Sequence, residues 1–451
     1  MEIIQEINVL FESETLEKKV QIIQDNKMLT PQEKKFVKNS FIKDLNIYGK
    51  KANMLNSLCV RCQSELSAEF SCLECVRLHI KNNFSKWTTG NKIFDFRIQQ
   101  FQLKFYAMSN KLIEWLPYEK FQNIEIKASG GFGIVYIAKW MDGPIYSWDA
   151  YKQKFLRGMP GPVILKSMKL PEIQSENFYQ EILVHIAVSL ESPYIVSCYG
   201  LTKEPKSGYF MMILEYHSDG DLKEFLKNKD ITLSWRTRYS ILHNITSALS
   251  KIHLKNILHG DIHPGNIISS RNMWCVGDLG LCRFTNEITN NEIFGVLPYI
   301  APEVLLNANY TTAADIYSIG IIMWQLVTKR IPYDYAHDTN DIALAIEISN
   351  GFRPEINFKL PSDYEEMMKR CWNSSSLSRP TASELLRFFT TNLQKIYKNE
   401  LIISELDYNL NSSQLTSDND LIPKIINTEK IKIHYEQSNS IGLIMPIHIN
   451  E

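Results

Sequence analysis

The stretch from His259 to Gly280 constrains this chain more than any other. It reads His259-Gly260-Asp261-Ile262-His263-Pro264-Gly265-Asn266, then an apolar pair, a turn, and Asp278-Leu279-Gly280. An Asp and an Asn five residues apart, followed by a second Asp before a glycine, supply the parts of a metal–phosphate site. One carboxylate can orient a hydroxyl nucleophile, while the amide oxygen and the other carboxylate can hold Mg²⁺ against a triphosphate. Three short acidic motifs also arise by chance, so the remaining parts of such a site have to be found elsewhere in the chain.

At 451 residues the chain has room for two or three domains, and 44% hydrophobic with 22% charged residues is ordinary for a globular protein. A formal net charge of −1 creates no global positive field, so no nucleic acid is expected as a partner. The acidic start Met1-Glu2-Ile3-Ile4-Gln5-Glu6 lacks the basic and apolar regions of a signal peptide. The apolar run from Ile316 to Val327, flanked by Asp315 and Lys329-Arg330, is too short for a bilayer and suits a buried helix. No membrane partner is expected. Without an export signal the eight cysteines are expected as reduced thiols or metal ligands, and the expected compartment is cytoplasmic.

Residues 1–55 read as a helical N-terminal region. A first helix over 1–29 carries Leu16, Val20 and Ile23 on one face, and Thr30-Pro31-Gln32-Glu33 is a good start for a second. Val37, Phe41, Leu45 and Tyr48 continue at helical spacing. Residues 56–90 form a zinc-ribbon-like module: Cys59-Val60-Arg61-Cys62 and Cys72-Leu73-Glu74-Cys75 are two C-x₂-C knuckles with nine residues between them. Four thiolates so paired can close a tetrahedral, structural Zn²⁺ site. Four buried free thiols, a redox pair and a nucleic-acid-binding ribbon are the other readings of the same spacing. Over 91–120, Ile98, Phe101, Phe105, Met108, Leu112 and Trp115 step by three and four, which predicts one linker helix ended by Pro117.

The missing parts fall in order across 121–395. Ala128-Ser129-Gly130-Gly131-Phe132-Gly133-Ile134-Val135 is a glycine-rich loop between strands, and after a Trp- and Tyr-rich insertion (140–161) Val163-Ile164-Leu165-Lys166 ends the next strand. Glu181 lies in a helical stretch, Leu214-Glu215-Tyr216-His217 follows, and Ala301-Pro302-Glu303, Asp315, Trp372, Arg379 and Pro380 come after the His259–Gly280 stretch. From end to end this resembles a eukaryotic protein kinase domain. The resemblance implies an α+β, two-lobed fold with a small β-rich lobe and a large helical lobe. It implies an ATP- and Mg²⁺-dependent kinase acting on Ser/Thr hydroxyls of protein substrates in signalling, with Tyr open as a second acceptor. Asp261 would orient the hydroxyl, Lys166 would contact the phosphates with Glu181 as its ion-pair partner, and Asn266 and Asp278 would hold Mg²⁺. The nucleotide would meet Ala128, Gly130, Gly131, Phe132, Gly133, Val135, Ile164, Leu214, Glu215, His217 and Ile268. The two knuckles, Trp87-Thr88-Thr89-Gly90 and the insertion are similar to the tyrosine-kinase-like group, in particular the expanded kinases of mycorrhizal fungi.

Several positions depart from that pattern. Ala128 stands for the first loop glycine, and Ile164 replaces a small alanine on the adenine face, which crowds a tight slot. Gly260 replaces the arginine that holds a phosphorylated activation segment, and His263 and Val296 replace a lysine and threonine that contact each other and the base. The alternative function is therefore a pseudokinase scaffold that binds partners without phosphoryl transfer. In the tail, 396–451, the stretch from Asn409 to Asp420 reads as loop, and Ile431, Ile433, Ile441, Leu443 and Ile444 are candidates for short strands.

Overall fold

The computed structural model describes residues 10–11, 14–26, 29–31, 34, 58–59, 61–66, 72–105, 112–130, 133–167, 176–228, 232–271, 273–284, 292–334, 341–357, 359–400 and 433–434. Val37, Phe41, Leu45, Tyr48, Gly131, Phe132 and the Asn409–Asp420 stretch lie outside them, as does the side chain of Glu181. The first helix with described bounds, α1, is Leu16–Asp25. It does not run through 1–29 as the apolar stripe predicts. Thr15 is extended, with its Oγ1 accepting from Lys18 N, and Asn26 is extended at the other end. A side-chain cap at Thr15 makes it the start of a helix rather than an interior residue. The chain then divides into two compact units, Gln32–Ser218, and Met1–Pro31 with Asp219–Glu451.

The Gln32–Ser218 unit holds α2 (Leu73–Asn83), α3 (Lys92–Phe105), β1 (Glu114–Trp115), β2 (Phe121–Gly130), β3 (Gly133–Trp140), β4 (Ile145–Asp149), β5 (Lys154–Arg157), β6 (Gly161–Ser167), α4 (Glu176–Ser189), β7 (Cys198–Lys203) and β8 (Phe210–Glu215). Its six-stranded sheet runs β1-β7-β8-β6-β3-β2. Val135 pairs with Lys166, Ile137 with Ile164, and Ile164 with Leu214. Residues directly opposite in a ladder share a face, and residues two apart on a strand do too. Val135, Ile164, Lys166 and Leu214 are thereby placed on one side of the sheet. The other side carries Ala138, Val163, Leu165, Met211 and Ile213, which join Leu116, Phe121 and Trp140 in a core.

The single linker helix is not what forms. Helix α3 ends at Phe105, and Glu114–Trp115 is a strand that pairs parallel with Gly200–Leu201 on the sheet edge. Trp115 stacks on Trp87 at 6.3 Å and packs against Phe210, contacts that a half-buried sheet surface offers an aromatic ring. Tertiary packing overrides the helical period here. The start of α3 is set by Asn91, whose side chain accepts from Ile93 N and Phe94 N, and by Asp95, which accepts from Thr89 N and Oγ1 at 2.8 and 2.6 Å. The 140–161 insertion folds as the β4–β5 hairpin, and its Ile145, Trp148 and Ala150 share one core with Cys59, Cys72, Cys75, Val76, Ile80 and Leu112.

The second unit is helical. It holds α5 (Leu222–Lys227), α6 (Trp235–His253), β9 (Ile257–Leu258), β10 (Ile267–Ser270), β11 (Met273–Val276), β12 (Arg283–Phe284), β13 (Glu292–Ile293), α7 (Pro302–Asn307), α8 (Thr312–Thr328), α9 (Asp341–Ser349), α10 (Ser362–Cys371), α11 (Ala382–Tyr397) and β14 (Ile433–His434). Ser234 caps α6, and a Thr381–Glu384 capping box opens α11. Between these helices Trp235, Tyr239, Tyr364 and Phe389 pack edge to face, an arrangement favoured by ring quadrupoles. Helix α8 contains the apolar run and is buried at every residue from Ala314 to Thr328. Among the described residues no helix is long and apolar enough to cross a membrane. Of the tail's apolar residues, Ile433 lies on β14, which pairs antiparallel with β13.

Candidate functional site

The loop before β10 is fastened from below by one carboxylate. Asp315, in the first turn of α8, accepts from His259 N and Gly260 N at 2.8 Å each and meets His253 Nε2 at 2.8 Å. Burial alone would raise this carboxyl, but the His253 hydrogen bond and the backbone donation from His259 help to outweigh it and hold it below the usual range. The His259 ring ties the same loop to the next one. Its Nδ1 accepts from Asp261 N at 3.3 Å, so Nε2 carries the proton donated to Gly277 O at 3.0 Å. Complete burial lowers its pKa below the usual imidazole value. Sequence reasoning saw Asp315 only as the head of a buried helix. The signal for more was a carboxylate at the start of an otherwise apolar segment, where it needs partners to be buried.

Asp261 is buried, and Asn266 Nδ2 donates to its backbone oxygen at 2.8 Å and to Oδ2 at 3.1 Å. That orientation turns the Asn266 amide oxygen to the opposite side. Ile267 pairs with Val276 and Ile268 with Cys275, and Gly277 N donates to Asn266 O, so Asn266 and Asp278 flank the mouth of the β10–β11 hairpin. Asp278 is left-handed (φ 50°), with Oδ1 accepting from Gly280 N. Strain of this kind persists where the surroundings fix it. Ile268 also bridges to Asp221. Gly260 has φ +77°, and a Cβ there would lie 3.1 Å from Leu281 O, so the site of the absent arginine is shaped for glycine. Arg379, buried, grips both oxygens of Glu303 at 2.7 Å.

In the Gln32–Ser218 unit Ala128 pairs with Val135 and Gly130 with Gly133 across the β2–β3 turn. Lys166 is buried near the end of β6, and Glu181 lies on α4. Leu214 is buried on β8, Glu215 N donates to Ser197 O at 2.9 Å, and the His217 ring is buried just beyond the strand.

The four knuckle cysteines converge. All four Sγ atoms lie within 4.8 Å of one another, with 3.6 Å between Cys59 and Cys75, 3.2 Å between Cys62 and Cys72, and 3.7 Å between Cys62 and Cys75. A disulfide needs about 2.05 Å. Thiolates about 2.3 Å from a tetrahedral Zn²⁺ stand roughly 3.8 Å apart, which fits these separations. Cys72 also caps α2, and its sulfur accepts from Cys75 N. Hydrogen bonds from Ser64 pull the exposed Cys62 thiol down to about 6, whereas burial pushes Cys72 and Cys75 up. An all-cysteine donor set of this shape suits zinc and leaves no position for a reacting water.

A buried carboxylate held by an amide, with a second carboxylate across a hairpin, is an arrangement that can serve metal-assisted transfer onto a hydroxyl. The protein kinase domain family matches residues 158–388, just over half of the chain, and the chain belongs to that family. It is 27% identical over 261 residues to the mimivirus protein named "Putative serine/threonine-protein kinase/receptor R831", covering 57% of this chain and 15% of that protein. It is 28% identical over 289 residues to "Probable serine/threonine-protein kinase pats1" of Dictyostelium discoideum, covering 62% of this chain and 9% of the relative. The human "Ankyrin repeat and protein kinase domain-containing protein 1" is 31% identical over 204 residues, 42% of this chain and 26% of that protein. The chain thus spans about a quarter or less of the length of these relatives.

Proposed function

We propose that this chain is an ATP- and Mg²⁺-dependent protein kinase that phosphorylates Ser/Thr hydroxyls of protein substrates in cytoplasmic signalling, with Tyr as a second acceptor. Asp261 orients the substrate hydroxyl, Lys166 with Glu181 positions the phosphates, and Asn266 and Asp278 hold Mg²⁺. The observation that carries this reading is the Asn266 bond to Asp261 Oδ2 at 3.1 Å, which locks the base beside a would-be metal ligand. The names of the relatives support Ser/Thr as the acceptor. The cysteine knuckles, the Trp87–Gly90 stretch and the insertion favour the tyrosine-kinase-like group and the mycorrhizal-fungal expansion within it. The Cys59, Cys62, Cys72 and Cys75 centre holds a structural Zn²⁺. The proposed organisation is a helical region over 1–55, a zinc-ribbon-like module over 56–90, a connecting segment over 91–120, the kinase domain over 121–395 and a tail over 396–451.

Thermal-shift titration with ATP and MgCl₂, together with incorporation of labelled γ-phosphate, tests the proposal. Metal-dependent binding with incorporation is the expected result. Binding without transfer, under conditions that keep the protein folded, would move the chain to the pseudokinase scaffold, a reading that Ile164 favours by adding bulk to the sheet face that carries Lys166.

A further inference from the structure

His263 follows the candidate base by two residues, and its ring sits in an unusual place. Nδ1 accepts from Gly265 N at 3.1 Å. That bond fixes the tautomer of the neutral ring, leaving the proton on Nε2. Nε2 is buried without a hydrogen-bond partner among the described residues, and its nearest acidic oxygen is Asp261 Oδ2 at 3.7 Å. Tyr299 lies beside the ring at 6.2 Å between centroids. Gly265 is shaped to admit the ring, because a Cβ there would lie 2.9 Å from His263 Cε1. A buried N–H donor without a partner is unfavourable, and an apolar side chain would fill the same space without that penalty. The donor is held toward the carboxylate all the same.

We infer that His263 is a positioning residue for the transfer reaction: its Nε2–H and the Asn266 amide hold Asp261 Oδ2 from two sides and so fix the orientation of the carboxylate toward the substrate hydroxyl. This rests on the kinase reading above. The separation of 3.7 Å is longer than a hydrogen bond. Hydrogen bonds at catalytic groups are often long in unliganded structures and shorten when substrate closes the site. Gly295 lies on the other side of the base: a Cβ there would be 3.5 Å from Asp261 Oδ1, so that oxygen faces the segment leading to Ala301-Pro302-Glu303.

Two near-isosteric substitutions in the full chain separate positioning from packing. In His263→Gln the side-chain amide nitrogen takes the place of Nε2 and the Gly265 bond is lost. In His263→Asn the side-chain oxygen keeps the Gly265 bond and the Nε2 donor is lost. The expected result is a kcat within about threefold of wild type for Gln and ten- to a hundredfold lower for Asn, with KM for ATP unchanged in both. Thermal melting should rank them the other way, with Asn the more stable, because only it keeps the loop bond. Equal kcat for both, or a kcat that follows melting temperature, would overturn the positioning role. A wild-type protein that binds ATP and Mg²⁺ but transfers nothing would overturn the kinase reading itself and this inference with it.

Discussion

At the scale of single residues the candidate active site depends on who holds whom. Asp261 is held by Asn266, the loop beneath it by Asp315, and the next loop by His259. In the proposed function Asp261 meets the nucleophile rather than the nucleotide, so Asp261→Asn should lower kcat by about 10²–10⁴-fold and leave ATP affinity unchanged. Steady-state phosphorylation beside calorimetric ATP binding checks it, and a wild-type rate would show that another group is the base. Gly260 gives a prediction of a different kind. The sequence marks it as a missing arginine, whereas the left-handed backbone (φ +77°) marks it as a position suited to glycine. Restoring the side chain with Gly260→Arg should therefore destabilise the protein by about 1–2 kcal/mol rather than add phosphate-dependent control. Urea denaturation reads the first effect. Activity before and after phosphatase treatment reads the second, and a variant of wild-type stability that gains phosphate dependence would contradict the argument.

At the scale of elements, the cysteine knuckles and the insertion are one structure. Cys72 and Cys75 share a core with Trp148 of the β4–β5 hairpin, and His79 of α2 packs against both Trp148 and Phe155. Arg157 at the end of β5 pairs with Glu114 of β1, which extends the same sheet. The knuckles are thus tied to the sheet through two routes. Cys72→Ala should abolish the proposed Zn²⁺ binding, worth on the order of 10 kcal/mol in small zinc modules, and lower the melting temperature of the whole Gln32–Ser218 unit. Elemental analysis and limited proteolysis check it: cleavage confined to residues 56–90, with the sheet melting as before, would show that the routes are weak. Asp315 makes a second prediction. Its folded pKa is depressed, so its contribution is present above the unfolded value of about 3.9 and is lost as pH falls through the folded one. Asp315→Ala should cost about 3–5 kcal/mol at neutral pH, and the gap from wild type should shrink below about pH 4. Denaturant titrations at several pH values would expose a constant gap if the carboxylate is not the cause. The elements that sequence reasoning reached were those with local signals, such as the apolar run that became α8 and the short spacings around Asp261 and Asn266. It missed β1, because Leu112 and Trp115 fit a helical period and nothing local reveals a partner strand 86 residues away at Gly200–Leu201. Asp315 was missed for the same reason, since its partners at His253, His259 and Gly260 come from an earlier part of the chain.

At the scale of the whole molecule, the chain does not build its units in sequence order. The segment before Pro31 belongs with Asp219–Glu451, so the helical unit is assembled from the two ends of the described chain. The contact is made by polar groups as well as rings. Asn26 donates from its side chain to Tyr397 O at 3.0 Å and accepts from Leu29 N at 3.0 Å, while Asn399 donates to Asp25 O at 2.9 Å and Gln394 bonds Leu10 O. Phe11 meets the Tyr397 ring edge to face at 6.4 Å, and Lys398 lies over Phe11. The Asn26 bond satisfies a carbonyl at the C-terminal end of α11, and the Asn399 bond one at the C-terminal end of α1, neither of which its own helix can satisfy. Asn26 and Phe11 are both buried, so removing either leaves unpaired groups or a void rather than a solvated surface. A fragment beginning near Phe121, the start suggested by the family motifs, would lack this clasp along with β1 and the cysteine knuckles. It should fold less stably than the full chain in both units. Asn26→Ala in the full chain isolates the clasp: a loss of about 1–3 kcal/mol is expected, from the Tyr397 and Leu29 bonds alone. Phe11→Ala should cost a further 3–5 kcal/mol if its ring packs as a core residue does. Urea denaturation of the two variants, with hydrogen exchange at the α11 carbonyl-end amides, reads the result. Stability equal to wild type in both would mean that the N-terminal segment rests on the helical unit without supporting it.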